Sequence, residues 1–351
     1  MRKNSFRISV CIPAYNRVEV LPQLLDSVLS QDYANYEVVI CEDNSPQRDA
    51  IREAVAVFSE RFPGKINYFE NTGNLGYDAN IRNLIEKASG EYCFFMGNDD
   101  LMRPGALGTV ASALARHKNI GVVLRSYASF DGAPENIAQT FRYFPKETFF
   151  PAGPRTISTF YRRSVVISGL VLHRTESLKY ATDKFDGTLL YQLYLVANIL
   201  NDMNGVSLPE ILVLYRNGGV PDFGNSEKEK GLFTPKAQTQ ESSVYFVRGM
   251  FAIAQYVENQ RGIRIYRSIL NDIGNYSYPI LAIQAGRNIS EFVRYAYQLS
   301  KLGLWRSKYF YGYFFALLLL GSARVESIIK LIKKRCGYTP TIGNLYRGAS
   351  E

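Results

Sequence analysis

Four short apolar runs fall within the first hundred residues, each ending in a polar loop, and this alternation restricts the fold more than any other feature of the chain. Ile8-Ser9-Val10-Cys11-Ile12 stops at Pro13-Ala14-Tyr15-Asn16-Arg17, ahead of Leu21, Leu24, Leu25, Val28 and Leu29 at helical spacing. A second run, residues 36–41, ends in Glu42-Asp43-Asn44-Ser45 before Ile51, Val55 and Phe58. A third, residues 66–69, leads through Asn71-Thr72-Gly73-Asn74-Leu75-Gly76 into Ile81, Leu84 and Ile85. Strands that alternate with helices predict a parallel, doubly wound sheet. In such a sheet the loops that follow the strands collect on one edge, where ligands bind.

The fourth run, Gly90-Glu91-Tyr92-Cys93-Phe94-Phe95-Met96, ends in Gly97-Asn98-Asp99-Asp100. Adjacent carboxylates at the mouth of a parallel strand suit a hard divalent cation, Mg²⁺ or Mn²⁺, shared with substrate phosphates. The plainer alternative is a turn that caps the following helix near Pro104 and Gly105. The polar loops upstream favour the metal-diphosphate reading.

Taken together, Val10-Cys11-Ile12-Pro13-Ala14-Tyr15-Asn16-Arg17, Glu42-Asp43-Asn44-Ser45, Asn74-Leu75-Gly76 with Arg82-Asn83, and Gly90-Glu91-Tyr92 leading to Asp99-Asp100 resemble family-two inverting glycosyltransferases of the GT-A fold. The resemblance covers roughly the first 215 residues. More loosely, residues 168–174 and 185–193 look like abequosyltransferase-type members that build bacterial O-antigen. The resemblance implies an α/β nucleotide-diphospho-sugar domain whose mostly parallel sheet is flanked by helices. It also implies a donor site at Pro13, Ala14, Tyr15, Arg17, Asp43, Asn74, Arg82, Asn98, Asp99 and Arg216, with Asp99 and Asp100 on the metal. In that scheme residues 13–15 lie against the nucleoside and Asp43 accepts hydrogen bonds from the base, as a carboxylate must. Gly97 stands where many relatives carry an acid, and a vacancy there suits a deoxy-sugar donor.

An inverting transfer needs a base on the acceptor hydroxyl. The resemblance points to Asp186, with Asp183 in reserve, although Gly187 replaces the second acid of the family's usual pair. A helix N-cap ahead of Leu189, Leu190 and Leu193 is the alternative role for Asp186. Arg216, in Tyr215-Arg216-Asn217-Gly218-Gly219, is placed either on the diphosphate or at the surface, since guanidinium matches phosphate geometry. For Arg82 a structural ion pair is the stronger expectation. His117 and His173 are isolated, and packing is expected for His173.

With 351 residues, 46% hydrophobic and 21% charged, the chain is long enough to bury a full core. Its four cysteines lack metal-ligand spacing, and Cys11, Cys41 and Cys93 fall in strands, which reads as reduced thiols of a cytoplasmic protein. No secretory signal is expected at the N-terminus. Residues 217–240, rich in Gly, Pro, Ser and alternating charge, read as a flexible linker or an active-site loop. Residues 241–351 read as helical, basic and aromatic-rich.

Net charge is +9, and residues 301–335 hold eight cations against Glu326 alone, a local excess of +7. Residues 309–321 are too short for the ~20 apolar residues a spanning helix needs. Rings beside lysines and arginines suit the headgroup zone of the inner membrane, with a second subunit as the alternative cover. Nucleic acid is excluded, because the positive cluster sits on an apolar helix without a recognition motif.

The expected organisation is a GT-A catalytic domain (1–216), a connecting segment (217–240) and a helical extension (241–351). The expected reaction moves a sugar from a nucleoside diphosphate to a hydroxyl on a lipid-linked oligosaccharide. Alternatives are a sugar nucleotidyltransferase and a catalytically silent glycan-binding or scaffold protein that keeps the fold.

Overall fold

The computed structural model describes residues 6–219 and 221–338, so the C-terminal end of the helical extension expected over 241–351, and the first residues of the chain, lie outside the described residues. The N-terminal half alternates as expected: β1 (Ile8–Ala14), α1 (Leu21–Leu29), β2 (Tyr36–Glu42), α2 (Arg48–Arg61), β3 (Ile66–Glu70), α3 (Tyr77–Lys87) and β4 (Tyr92–Phe95). β1 lies between β2 and β4, all parallel, with Val10 opposite both Val38 and Phe94. Every residue of β1, β2 and β4 except Pro13 is buried, the pattern of strands covered on both faces.

The chain continues through β5 (Leu101–Met102), α4 (Ala106–Arg116), β6 (Ile120–Phe130), β7 (Ile137–Phe141), β8 (Thr148–Phe150), α5 (Pro154–Phe160), β9 (Val171–His173), α6 (Arg174–Lys179), α7 (Tyr191–Asp202) and β10 (Asn204–Arg216). One sheet results, in the order β3-β2-β1-β4-β9-β6-β10-β5, with β7 and β8 added at its side. β9 is antiparallel to both β4 and β6, whereas β10 runs parallel to β6. Two changes of direction therefore return β6 and β10 to the sense of β4. The C-terminal ends of β1 to β4 and of β10 share an edge with the residues that enter β9.

From residue 240 to 336 the chain is mostly helical: α8 (Gln240–Arg261), α9 (Tyr266–Asn275), α10 (Tyr278–Ala282), α11 (Ile289–Lys301), α12 (Lys308–Leu320) and α13 (Ser322–Cys336). These helices do not build a core of their own. One apolar cluster runs from Cys11 and Phe95 on the sheet through α7 to Ile253 on α8, Leu299 on α11 and Leu317 on α12. Asp272 on α9, fully buried, ties the junction by accepting from Arg162 at 2.9 Å and Arg163 at 3.0 Å. Cys11, Cys41 and Cys93 are buried free thiols, and Cys336 is exposed. No described helix is long and apolar enough to cross a membrane.

Candidate active site

Asp100 is nearly fully buried, and its neighbours come from the two strands whose ends reach this edge. Because β9 runs against β4, the residues before it pass the β4 tip: Phe95 N–H donates to Leu170 O at 3.0 Å and Gly97 N–H to Ser168 Oγ at 2.9 Å. Ser168 in turn donates to Asp100 Oδ2. From the end of β10, the Arg216 backbone N–H donates to Asp100 Oδ1 at 2.9 Å. Burial and the adjacent Asp99 carboxylate push the Asp100 carboxyl up to about 7, against the pull of these donors and of Arg17.

Asp99 is more open, and its Oδ2 accepts from Arg17. Asn98 and Asp99 do form a turn, closed by Asp100 N–H donating to Gly97 O at 3.3 Å, but neither acid caps α4, which starts after Gly105 with no side-chain cap. Among the described residues no group of three or more His, Cys, Asp or Glu side chains gathers to hold a metal ion. A Cβ on Gly97 would lie 3.1 Å from both Asp100 Oδ2 and Ser168 Oγ, so a third acid does not fit there without displacement.

The β1 loop is held to the β4 tip by Asn98, whose Nδ2 donates to the carbonyls of Tyr15 at 3.2 Å and Asn16 at 3.1 Å. Pro13 and Ala14 close β1, and Ala14 O accepts from Asp43 N–H at 3.0 Å. The Asp43 carboxylate is already well supplied by the loop beside it, accepting from Asn71 Nδ2 and Leu75 N–H at 2.8 Å and Gly76 N–H at 2.9 Å. Burial still raises its pKa over those hydrogen bonds. Tyr15 sits by Asn74, and partial burial together with the carboxylates of Asp222 and Asp43 raises its pKa.

Of the two arginines, Arg82 makes the structural ion pair that is the stronger expectation for it, and Arg216 is bonded to the aspartate turn. Arg82 grips Asp186 with both ends of its guanidinium, at 2.8 and 2.9 Å, and also donates to Thr182 O. Asp186, expected as base or cap, is therefore ion-paired and does not cap α7. That cap comes from Asp78, which accepts from Leu189 N–H and Tyr191 N–H, both at 2.8 Å. Burial, with Asp186 and Glu229 nearby, pushes Asp78 up to about 7. Arg216 donates through Nε to Asp99 O at 2.9 Å and through a terminal nitrogen to Gln23 at 2.7 Å, over the Phe130 ring. Its guanidinium braces the aspartate turn through the Asp99 carbonyl. His173 packs edge-on to Tyr92 and caps α6, matching the packing role expected of it.

The segment after β10, expected as a flexible linker or an active-site loop, is a strap fastened across this edge. Asp222 accepts from Asn16 at 2.7 Å. Glu229, buried, accepts from Tyr77 N–H at the start of α3 at 2.7 Å and from Gly224 N–H at 2.9 Å. A Cβ on Gly187 would lie 2.3 Å from Lys228 O, and one on Gly219 3.3 Å from Asp99 Oδ2. The strap thus touches the β1 loop, the start of α3, the aspartate turn and the Asp186 loop. Sequence reasoning missed Ser168, Asp78, Asp222 and Glu229. Ser168 lies in the stretch 168–174, and Asp222 and Glu229 lie in the stretch 217–240, so only Asp78 stands outside every segment the sequence singles out.

Residues 9–179 match the family model Glycosyl transferase family 2. This segment is a family 2 glycosyltransferase domain. Within the family, the abequosyltransferase RfbV of Salmonella typhimurium is 34% identical over 113 residues, 32% of this chain and 34% of that protein. A GalNAc(5)-diNAcBac-PP-undecaprenol beta-1,3-glucosyltransferase of Campylobacter jejuni is 30% identical over 105 residues, 30% of this chain and 33% of that one. The chain thus spans about a third of the length of these two curated relatives. S. aureus TarS 1-349, solved in complex with UDP, superposes with a TM-score of 0.57 over 94% of this chain and 92% of that one, at 15% identity. At that identity the likeness establishes the fold, and the fold is GT-A with a helical C-terminal region.

Proposed function

We propose that this family 2 glycosyltransferase moves a sugar, with inversion, from a nucleoside-diphosphate donor to a hydroxyl on a lipid-linked bacterial oligosaccharide, at a membrane surface on the cytoplasmic side. The observation that carries this reading is the pair Asp99 and Asp100 at the edge where the strands end, with the inner acid pushed up to about 7 by burial and by its neighbour. Two carboxylates forced together in this way gain from a divalent cation, and a Mg²⁺ that keeps several waters needs only one or two. Asp99 and Asp100 would hold it, after Arg17 moves from Asp99. When bound, the cation supplies charge neutralisation on the departing nucleoside diphosphate.

The chain's own residues supply the rest. Residues 13–15, with Asn74 and Asp43, form the nucleoside side of the edge, tied to the aspartate turn by Asn98. The acceptor oxygen bonds to the anomeric carbon as the carbon–diphosphate bond breaks, and Asp186 takes the hydroxyl proton. Arg82, which holds both Asp186 oxygens, fixes that carboxylate and leaves it further lone pairs with which to accept. The strap lifts to admit substrates and closes again over them. In this reading residues 1–216 are the catalytic domain, 217–240 the strap and 241–351 the membrane-facing extension. The undecaprenol-linked substrate in the name of the Campylobacter relative supports a lipid-linked acceptor.

The test is incubation with a panel of CDP-, UDP-, GDP- and dTDP-linked sugars and Mg²⁺ or Mn²⁺. One donor should raise the melting temperature and be slowly hydrolysed. The Asp186→Asn variant should keep that thermal shift while transfer drops by about 10²–10⁴-fold. An anomeric NMR signal showing retention would remove the inverting mechanism. A second reading, a silent carbohydrate-binding member, is favoured by the ion pairs on Asp99 and Asp186. Cation-dependent turnover of any donor excludes it.

A further inference from the structure

The last three helices leave apolar surface bare. α12 carries no charged side chain after Lys308, and a helix that is apolar on every side belongs in a core or in lipid. Here only Phe310 and Leu317 are buried, while Phe315 is 52% and Leu319 76% exposed. On α11, Val293 and Tyr297 form an exposed i, i+4 pair, whereas Phe292, Tyr295, Ala296 and Leu299 face the core. On α13, which packs against α12, Ile328 and Leu331 are exposed one turn apart. Soluble monomers rarely leave so much apolar surface uncovered without a partner.

Charge selects the partner. Lys301 lies 4.5 Å over the Tyr297 ring, Arg306 5.3 Å over Trp305 and Lys308 5.4 Å over Tyr309, so cations border the apolar surface. With eight cations to one acid in residues 301–335, a second copy would bring +7 against +7. An anionic lipid surface meets the same charge with attraction, and amphipathic cation–aromatic segments lie in the headgroup zone. No described helix is built to cross.

We propose that α11, α12 and α13 dock, without spanning, on a bilayer surface rich in anionic headgroups. This deepens the membrane-facing part of the proposed function and rests on it. The chain's single tryptophan, Trp305, lies in this region and is 55% exposed, which makes it a built-in probe. Vesicles of phosphatidylcholine with phosphatidylglycerol, free of any glycosyl acceptor, should shift Trp305 emission to the blue and carry the full chain upward on flotation. Pure phosphatidylcholine should do neither, and salt at ~1 M should release the chain, because the Debye length there falls to about 3 Å.

A Phe315→Ser/Leu319→Ser variant should lose at least about tenfold in vesicle affinity, and Arg306→Gln about fivefold. If the double variant fails to fold, the Trp305 shift in the unaltered chain still decides. Emission indifferent to anionic vesicles overturns the proposal, as does equal flotation on neutral ones. Sedimentation showing a dimer that the double variant dissolves assigns the face to a second copy and overturns it too. Donor hydrolysis, measured without vesicles, reports on the transfer reaction alone, so failure of one reading is distinct from failure of the other.

Discussion

Asp100 illustrates how a single buried side chain makes pH a variable of both binding and folding. Its carboxyl, raised to about 7, holds a proton in the folded chain that the unfolded chain has already released above about pH 4. The folded state therefore binds more protons over that interval, and stability falls as pH rises from about 4 to about 7, then levels off. Asp78, also raised to about 7, acts in the same direction. Thermal melts in chelator should show Asp100→Asn losing less stability than the parent across this window, by a few kcal/mol at most. Added Mn²⁺ should stabilise the parent more at pH 8 than at pH 6, since the cation needs the carboxylate ionised. The Asn98-Asp99-Asp100 cluster was legible in the sequence because consecutive acids ending an apolar run have few other uses. Ser168 was not, since its role depends on β9 running backwards beside β4, and that direction leaves no local mark.

Among elements, the strap shows why a conspicuous glycine can mean the opposite of a lost function. Gly187 reads in sequence as a missing acid, yet its φ is +88° and the Lys228 carbonyl occupies the space a side chain would need. Gly187→Asp, which restores the family's usual pair, should therefore cost at least ~2 kcal/mol in denaturant titration and lower activity. Glu229 joins the strap to α3 by accepting from Tyr77 N–H and braces the strap internally by accepting from Gly224 N–H, so Glu229→Gln keeps only part of that arrangement. Limited proteolysis within residues 221–237 should quicken by roughly tenfold, as expected for the loss of a charge-assisted hydrogen bond of ~1.5 kcal/mol or more, while the global melting point changes little.

β1 to β4 and their helices were readable from periodicity, because each strand is local in sequence and apolar throughout. β6, all eleven residues buried, was passed over although it joins β9 to β10 at the centre of the sheet. Its polar loop, Asp131 to Asn136, leads into the antiparallel strand β7 and not into a helix, so β6 lacks the strand–loop–helix alternation that marked the others. The strap's docking was not legible either, since its partners lie as far as 206 positions away along the chain.

At the scale of the whole molecule, sheet and helical extension share one apolar cluster, and their junction holds a buried charge. Asp272→Ala would take the shared carboxylate from the buried Arg163 and the partly buried Arg162. The expected loss is about 3–5 kcal/mol. The expected outcome is one cooperative unfolding transition at lower temperature by calorimetry, and a separate early transition for the helices would contradict the shared core. The +7 excess of residues 301–335 and the rings among it were plain in the sequence, whereas the exposure of Val293, Phe315 and Leu319 needed the packing of α11 to α13.

The aspartate turn draws its support from chain positions 68 and 116 residues further on. During synthesis the ribosome must therefore release β10 before Asp100 acquires its backbone donor. Nascent or prematurely terminated chains would carry the acids without their setting, and contacts so distant in sequence form slowly. On the proposed reading, the acids reach their full setting only once β10 joins the sheet.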